Sequence, residues 1–160
     1  MEAVKIDRID AAILRILQED AGLSQRDLAD RVGISQNACW RRLQALTNAG
    51  VIKGRAVRLD RNALGLDLVV FTMLRTRHHS ADWLENFRAH VSAIPEVVDF
   101  FRIGGDYDYM LKIVTQNMAG FDAVYQRLIK GVELDSVTSY FAMEAIEEQR
   151  PLMIKPTNRV

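Results

Sequence analysis

The chain has 160 residues, 49% of them hydrophobic, with 21 basic and 21 acidic side chains in balance. That is enough apolar content for one core or two small ones, and too little net charge for a chain that is basic throughout. A single cysteine, Cys39, excludes an intramolecular disulfide framework, and no apolar run of about 18 residues or charged-then-apolar leader occurs, so a cytoplasmic protein without a membrane span is expected.

The first predicted helix runs from Asp7 to Glu19, with Ile9, Ile13, Ile16 and Leu17 at helical spacing and Asp7 or Asp10 available as its cap. Gly22 breaks it. Ser24-Gln25-Arg26-Asp27 then offers a capping box with Asp in place of Glu, opening a short second helix that carries Leu28, Ala29 and Val32 and stops at Gly33. Ser35 caps a third helix. On a helical wheel Cys39, Leu43 and Leu46 share one arc, while Asn37, Trp40, Arg41, Gln44 and Asn48 cover the opposite one. Gly50 supplies the stop, and Val51 to Leu59 has the β-branched and basic mixture of a wing or connecting strand.

Charge is unevenly placed along this region. No acidic residue lies between Asp30 and Asp60, whereas Arg31, Arg41, Arg42, Lys53, Arg55 and Arg58 all do. A basic patch around two short helices that meet at a tight turn is the footprint of a helix-turn-helix on double-stranded DNA. Bidentate bonding of Arg to guanine and of Asn or Gln to adenine makes Gln36, Asn37 and Arg41 the candidates for base reading, with Trp40 placed for a sugar or thymine-methyl contact. Ser24, Gln25 and Ser35 at helix starts, and Lys53 and Arg55 on the wing, fit phosphate contacts. The plainer reading, a solvated charged surface, fits poorly with amide and guanidinium groups gathered on one helix face.

Past Gly65 the period changes. A strand is predicted over Leu68–Leu74, a helix from Ser80 to Ala93 closed by Pro95, strands at Val97–Ile103 and Tyr109–Val114, a helix from Asn117 to Lys130 and a last strand from Val137 to Met143. The order β-α-β-β-α-β is that of a ferredoxin-like sheet with both helices on one face. Its other face needs a cover, for which a symmetric second copy is the simplest source; Phe71, Phe101, Tyr109 and Phe141 are candidates for either face. The expected class is therefore α+β, with a winged helix-turn-helix at residues 1–60, a βαββαβ domain at 61–147 and a tail at 148–160.

Several short motifs now combine: Ile9-Asp10-x-x-Ile13-Leu14, Leu28-Ala29-x-x-Val32-Gly33-Ile34-Ser35, Arg41-Arg42-Leu43-x-x-Leu46, Gly50-Val51-Ile52-x-Gly54, Leu64-Gly65 and Gly105-Asp106-Tyr107-Asp108-Tyr109. Over roughly residues 6 to 147 the chain resembles the Lrp/AsnC family of bacterial and archaeal transcription regulators. Cys39-Trp40, Arg77-His78-His79-Ser80, Pro95-Glu96-Val97 and Ser139-x-Phe141-Ala142-Met143-Glu144 make it similar to the subgroup of cysteine-responsive regulators of cysteine breakdown. The resemblance implies a sequence-specific regulator of amino-acid metabolism, modulated by a small amino acid, that forms homodimers assembling further to an octamer. It also implies an effector site at the turn Gly104, Gly105, Asp106, Tyr107 and Asp108, where dimers meet. Composition alone allows that turn to be an ordinary hairpin connection, and Gly104 departs from the Thr or Ser that many members place there.

Cys39 is expected as a packed small hydrophobe, and His78, His79 and His90 as surface residues lacking the spacing of a metal set, so neither a metal nor a cofactor is expected. Paired carboxylates with catalytic spacing, a nucleophile elbow and a phosphate loop are absent from the sequence. An enzyme on this scaffold, of the siroheme-decarboxylase kind, is the rival reading; the acid-free recognition helix argues against it.

Overall fold

The computed structural model describes residues 4–157, which fall into two compact units. One runs up to Arg58 and takes in the segment from Glu147 onward; the other is Leu59–Ile146. The segment expected as a tail is thus part of the first unit.

In the first unit, α1 (Arg8–Glu19), α2 (Gln25–Val32) and α3 (Gln36–Asn48) each begin where a side chain satisfies backbone amides that the helix leaves unbonded. The Asp7 carboxylate accepts from the Ile9 and Asp10 amides, while Asp10 accepts from the Asp7 amide, a complete capping box. Ser24 caps α2 by accepting from the Asp27 amide, but Asp27 takes the Ser24 hydroxyl rather than its amide, so that box is half formed. Gly33 ends α2 in the left-handed region at φ 74°, where a side chain is strained, and this turns the chain into Ser35 and α3. Ile13, Leu14, Leu28, Ala29, Cys39 and Leu46 form the core.

The segment expected as a wing or connecting strand forms no strand within the chain. Val51 and Ile52 donate to the Leu46 carbonyl and lie half-buried, but residues 53 to 60 are exposed and make no ladder. Extended backbone becomes a strand only beside a partner edge, and the described residues of this unit offer none.

The second unit is β1 (Leu68–Arg75), α4 (Ala81–Ser92), β2 (Val97–Arg102), β3 (Tyr109–Thr115), α5 (Met118–Ile129) and β4 (Ser136–Phe141), in one antiparallel sheet of order β2-β3-β1-β4. Strand alternation sends Val70, Leu74, Tyr109, Leu111 and Ile113 toward Phe87, Val91, Phe121, Val124 and Leu128 of the helices. Of the four aromatic candidates, Tyr109 joins this core and Phe141 lies edge-on to Phe121, with ring centroids 5.3 Å apart. Phe71 and Phe101 belong to the opposite face: Phe71 is in register with Lys112 and Tyr140, and Phe101 with Met110, so these five residues lie on one side of the sheet. Phe101 and Tyr140 are about half exposed there.

Candidate DNA-binding face and effector turn

The core positions of α3 bury Cys39 and Leu46, and this leaves Gln36, Asn37, Trp40, Arg41, Gln44 and Asn48 exposed along one arc. All four residues assigned to base reading or to the thymine-methyl contact, Gln36, Asn37, Trp40 and Arg41, lie on that arc, with Trp40 showing 52% of its surface. Lys53 and Arg55 are exposed as well. Arrayed amides, a guanidinium and an aromatic ring on a free helix face are the groups that hydrogen-bond base edges and contact thymine methyls. Burial in the core pushes the Cys39 thiol up, as befits a residue that packs rather than reacts.

Three of the proposed phosphate contacts have structural work. The Ser35 hydroxyl accepts from the Ala38 amide at 3.3 Å, and Ser24 is bonded to Asp27. Gln25 is half-buried and donates from Nε2 to the Gln36 carbonyl at 3.3 Å, tying the start of α2 to the start of α3.

Arg42 leaves the basic patch. Its Nη1 donates to Asp7 Oδ2 and Asp10 Oδ1, each at 2.7 Å, so the guanidinium ties α3 to the capping carboxylates of α1. Burial alone would push Asp7 up, but the Asp10 amide, the Arg42 guanidinium and the Ile9 amide together hold it below its ordinary value. Sequence reasoning missed this because the excess of positive charge was read without knowing which Arg turns inward; Arg42 lies next to Leu43 and is half-buried.

In the second unit, residues 103 to 108 form the loop between β2 and β3. The Ile103 amide donates to the Asp108 carbonyl, closing it, and Gly105 sits at φ 128°, a conformation glycine favours. A Cβ added at Gly104 would meet nothing within 4 Å, so the departure there removes a hydroxyl without any steric cause.

Asp108 is committed to the fold on one side: Oδ2 accepts from the Thr76 amide at 2.8 Å and the Asp108 amide donates to the Leu74 carbonyl. Asp106 is exposed, and its carbonyl accepts from Arg75 Nε at 2.8 Å. The Tyr107 hydroxyl donates to Thr138 Oγ1, and the Arg75 guanidinium lies 5.9 Å from the Tyr107 ring centre. A hydrogen bond with Tyr107, its charge and a little burial push the Tyr140 phenol up. Arg75, Thr138 and Tyr140 therefore join the turn, although no local motif marks them; strand register alone brings them there.

His78 pairs with Glu133 at 2.8 Å, and no group of three or more His, Cys, Asp or Glu among the described residues is arranged to hold a metal. No helix among them is long and apolar enough to cross a membrane.

Comparison with known proteins agrees with both halves of this geometry. Residues 6–53 match a winged helix-turn-helix DNA-binding model, and residues 69–152 match the Lrp/AsnC ligand binding domain. The chain is 40% identical to the glutamate uptake regulatory protein of Zymomonas mobilis over 154 residues, 96% of this chain and 94% of that protein. A crystal structure of an AsnC family transcriptional regulator from Agrobacterium tumefaciens superimposes with a TM-score of 0.88 at 45% identity, covering 92% of this chain and 97% of that one. A transcriptional regulator from Neisseria meningitidis, solved as a complex with L-Met, gives 0.86 at 31% identity, covering 93% and 97%. With an intact recognition helix, a βαββαβ ligand-binding fold and relatives matched over nearly their full length, the chain belongs to the Lrp/AsnC family of DNA-binding transcription regulators.

Proposed function

We propose that this regulator reads its operator through Gln36, Asn37, Trp40 and Arg41, with Lys53, Arg55 and the helix starts at Ser24, Gln25 and Ser35 holding phosphates. The observation that carries the reading is the single exposed arc of α3, from which the one inward-facing guanidinium, Arg42, is withdrawn by Asp7 and Asp10. Phosphate contacts fix register and base contacts choose sequence.

The ligand we assign to the second unit is a small amino acid bound around Gly104, Gly105, Asp106, Tyr107 and Asp108. The exposed Asp106 carboxylate suits an α-ammonium better than Asp108, one of whose oxygens is already used. Glycine amides suit the carboxylate. One relative is named for glutamate uptake and another was solved with L-Met, so amino acids as a class are the candidates, cysteine among them. The half-apolar open face of the sheet, with Phe71, Met110, Phe101 and Tyr140, fits a second copy of the chain, and homodimers assembling to an octamer in the cytoplasm complete the reading.

Regulation then follows from linkage: an amino acid that prefers one assembly changes its population, and with it DNA affinity, by no more than its difference in affinity for the two. A thermal-shift screen of the twenty amino acids, followed by DNA titration with and without the hit, tests this. A stabilising amino acid whose effect is lost in Asp106→Ala is the expected result; a screen with no shift above that of glycine betaine would remove the effector assignment.

A further inference from the structure

The segment from Glu147 to Thr157 is attached to the first unit through Gln18, through Ile6 and through the packing of Ile154. The Gln18 amide imitates a strand edge: Nε2 donates to the Leu152 carbonyl at 3.0 Å and Oε1 accepts from the Leu152 amide at 2.6 Å. Farther along, the Thr157 amide donates to the Ile6 carbonyl at 2.7 Å, and the Ile6 amide donates to Thr157 Oγ1 at 3.1 Å. Ile154 is half-buried against the core cluster that contains Ile13, Leu28 and Cys39. With Leu152 it walls a cavity of about 560 Å³ whose other sides include Leu14, Leu17, Trp40 and Leu43.

We infer that Glu147–Thr157 is a releasable latch on the DNA-binding unit: seated, it walls the largely apolar cavity beside the recognition helix, and released, it loosens α1 and α3. Two features make it releasable rather than simply part of the core. Leu152 and Met153 keep 77% and 84% of their surface exposed, and the bonds made by the Gln18 and Thr157 side chains lie at solvent-exposed positions, so opening costs chiefly the packing of Ile154. The chain also enters the latch directly from the second unit, which ends at Ile146 after β4. The second unit is therefore joined to the DNA-binding unit at both of its ends, and a rearrangement at the end of β4 draws on the latch without passing through the Arg58–Leu59 connection.

Cys39 is a built-in reporter, being the chain's single cysteine and fully buried in the DNA-binding core. Thiol labelling of the full-length protein by a disulfide reagent under native conditions reads how often that core opens. Gln18→Ala, which removes both bonds to Leu152, is expected to speed labelling about tenfold, and a chain ended after Ile146 more than that, with duplex-DNA affinity falling in the same order. Unchanged labelling in Gln18→Ala would overturn the latch even if the shortened chain fails to fold. Hydrogen exchange separates release from global unfolding: the Leu152 and Thr157 amides are expected to exchange at least a hundredfold faster than those of Ile13 and Leu14. Equal protection would show a fixed element of the core, and the inference would be wrong.

Discussion

Arg42→Ala is predicted to weaken the DNA-binding unit without removing any contact to DNA. The guanidinium makes two charge-assisted bonds, each 2.7 Å, to carboxylates that differ in exposure: the Asp10 side chain retains 13% of its surface and Asp7 half. A shielded bond of this kind contributes about 1.5–3 kcal/mol, and an exposed one about 0–1 kcal/mol after screening. Because both carboxylates keep their helix-capping amides, the stranded charge on Asp10 stays partly compensated. The net loss expected is about 2 kcal/mol, equivalent to roughly 8–16 °C in melting temperature for a unit of this size. Whole-chain melting mixes two units, so native-state hydrogen exchange at amides of α1 and α3 is the assay that isolates the effect. Arg41→Ala, one residue away on the exposed arc, should leave these amides unchanged while weakening specific DNA binding. Equal protection in Arg42→Ala and wild type, or a comparable loss in Arg41→Ala, would refute the assignment of the two neighbours.

Other outcomes follow from the same geometry. Asp7 is held below its usual carboxylate value near 3.8, so its share of the clamp is fully present above that pH and lost as pH falls through the lower folded value; the stability gap between wild type and Arg42→Ala should narrow below about pH 3.8 in acid titrations. Lys53→Ala and Arg55→Ala should each weaken binding to all duplexes alike and lower the salt slope by about one or less, measured by anisotropy across a salt series; a loss confined to the operator would assign them to base reading. Gly120→Ala should destabilise the second unit by about 1–3 kcal/mol in denaturant titrations, because the added methyl meets Thr115 Oγ1, and Thr115→Ala should restore it; no loss would mean the close approach relaxes freely.

Most of the element order was legible in the sequence because its signals are local. Asp7, Ser24, Ser35, Ser80 and Asn117 each precede a helix that they cap, and strict alternation along Tyr109–Thr115 gives a strand buried on one face. The misreadings are all long-range. A wing or connecting strand at Val51–Leu59 has suitable composition, but pairing needs a second edge that composition cannot supply. Arg42 shares its residue type with Arg41 and differs only in where α1 lies. Leu152 and Ile154 carry no periodicity that ties them to Gln18, 134 positions earlier in sequence for Leu152, so they read as a tail. At the candidate effector turn the residues named from sequence are contiguous, whereas Arg75, Thr138 and Tyr140 reach it only through the register of β1 with β3 and β4.

The central claim is that the exposed arc of α3 reads DNA sequence, and selection of duplexes from a randomised pool by the full-length protein tests it most directly. Wild type should enrich a defined sequence family that Arg41→Ala binds no better than the starting pool, a loss of about 1–3 kcal/mol for each base contact removed. Enrichment of the same family by Arg41→Ala with undiminished affinity, or no enrichment by wild type at all, would contradict it.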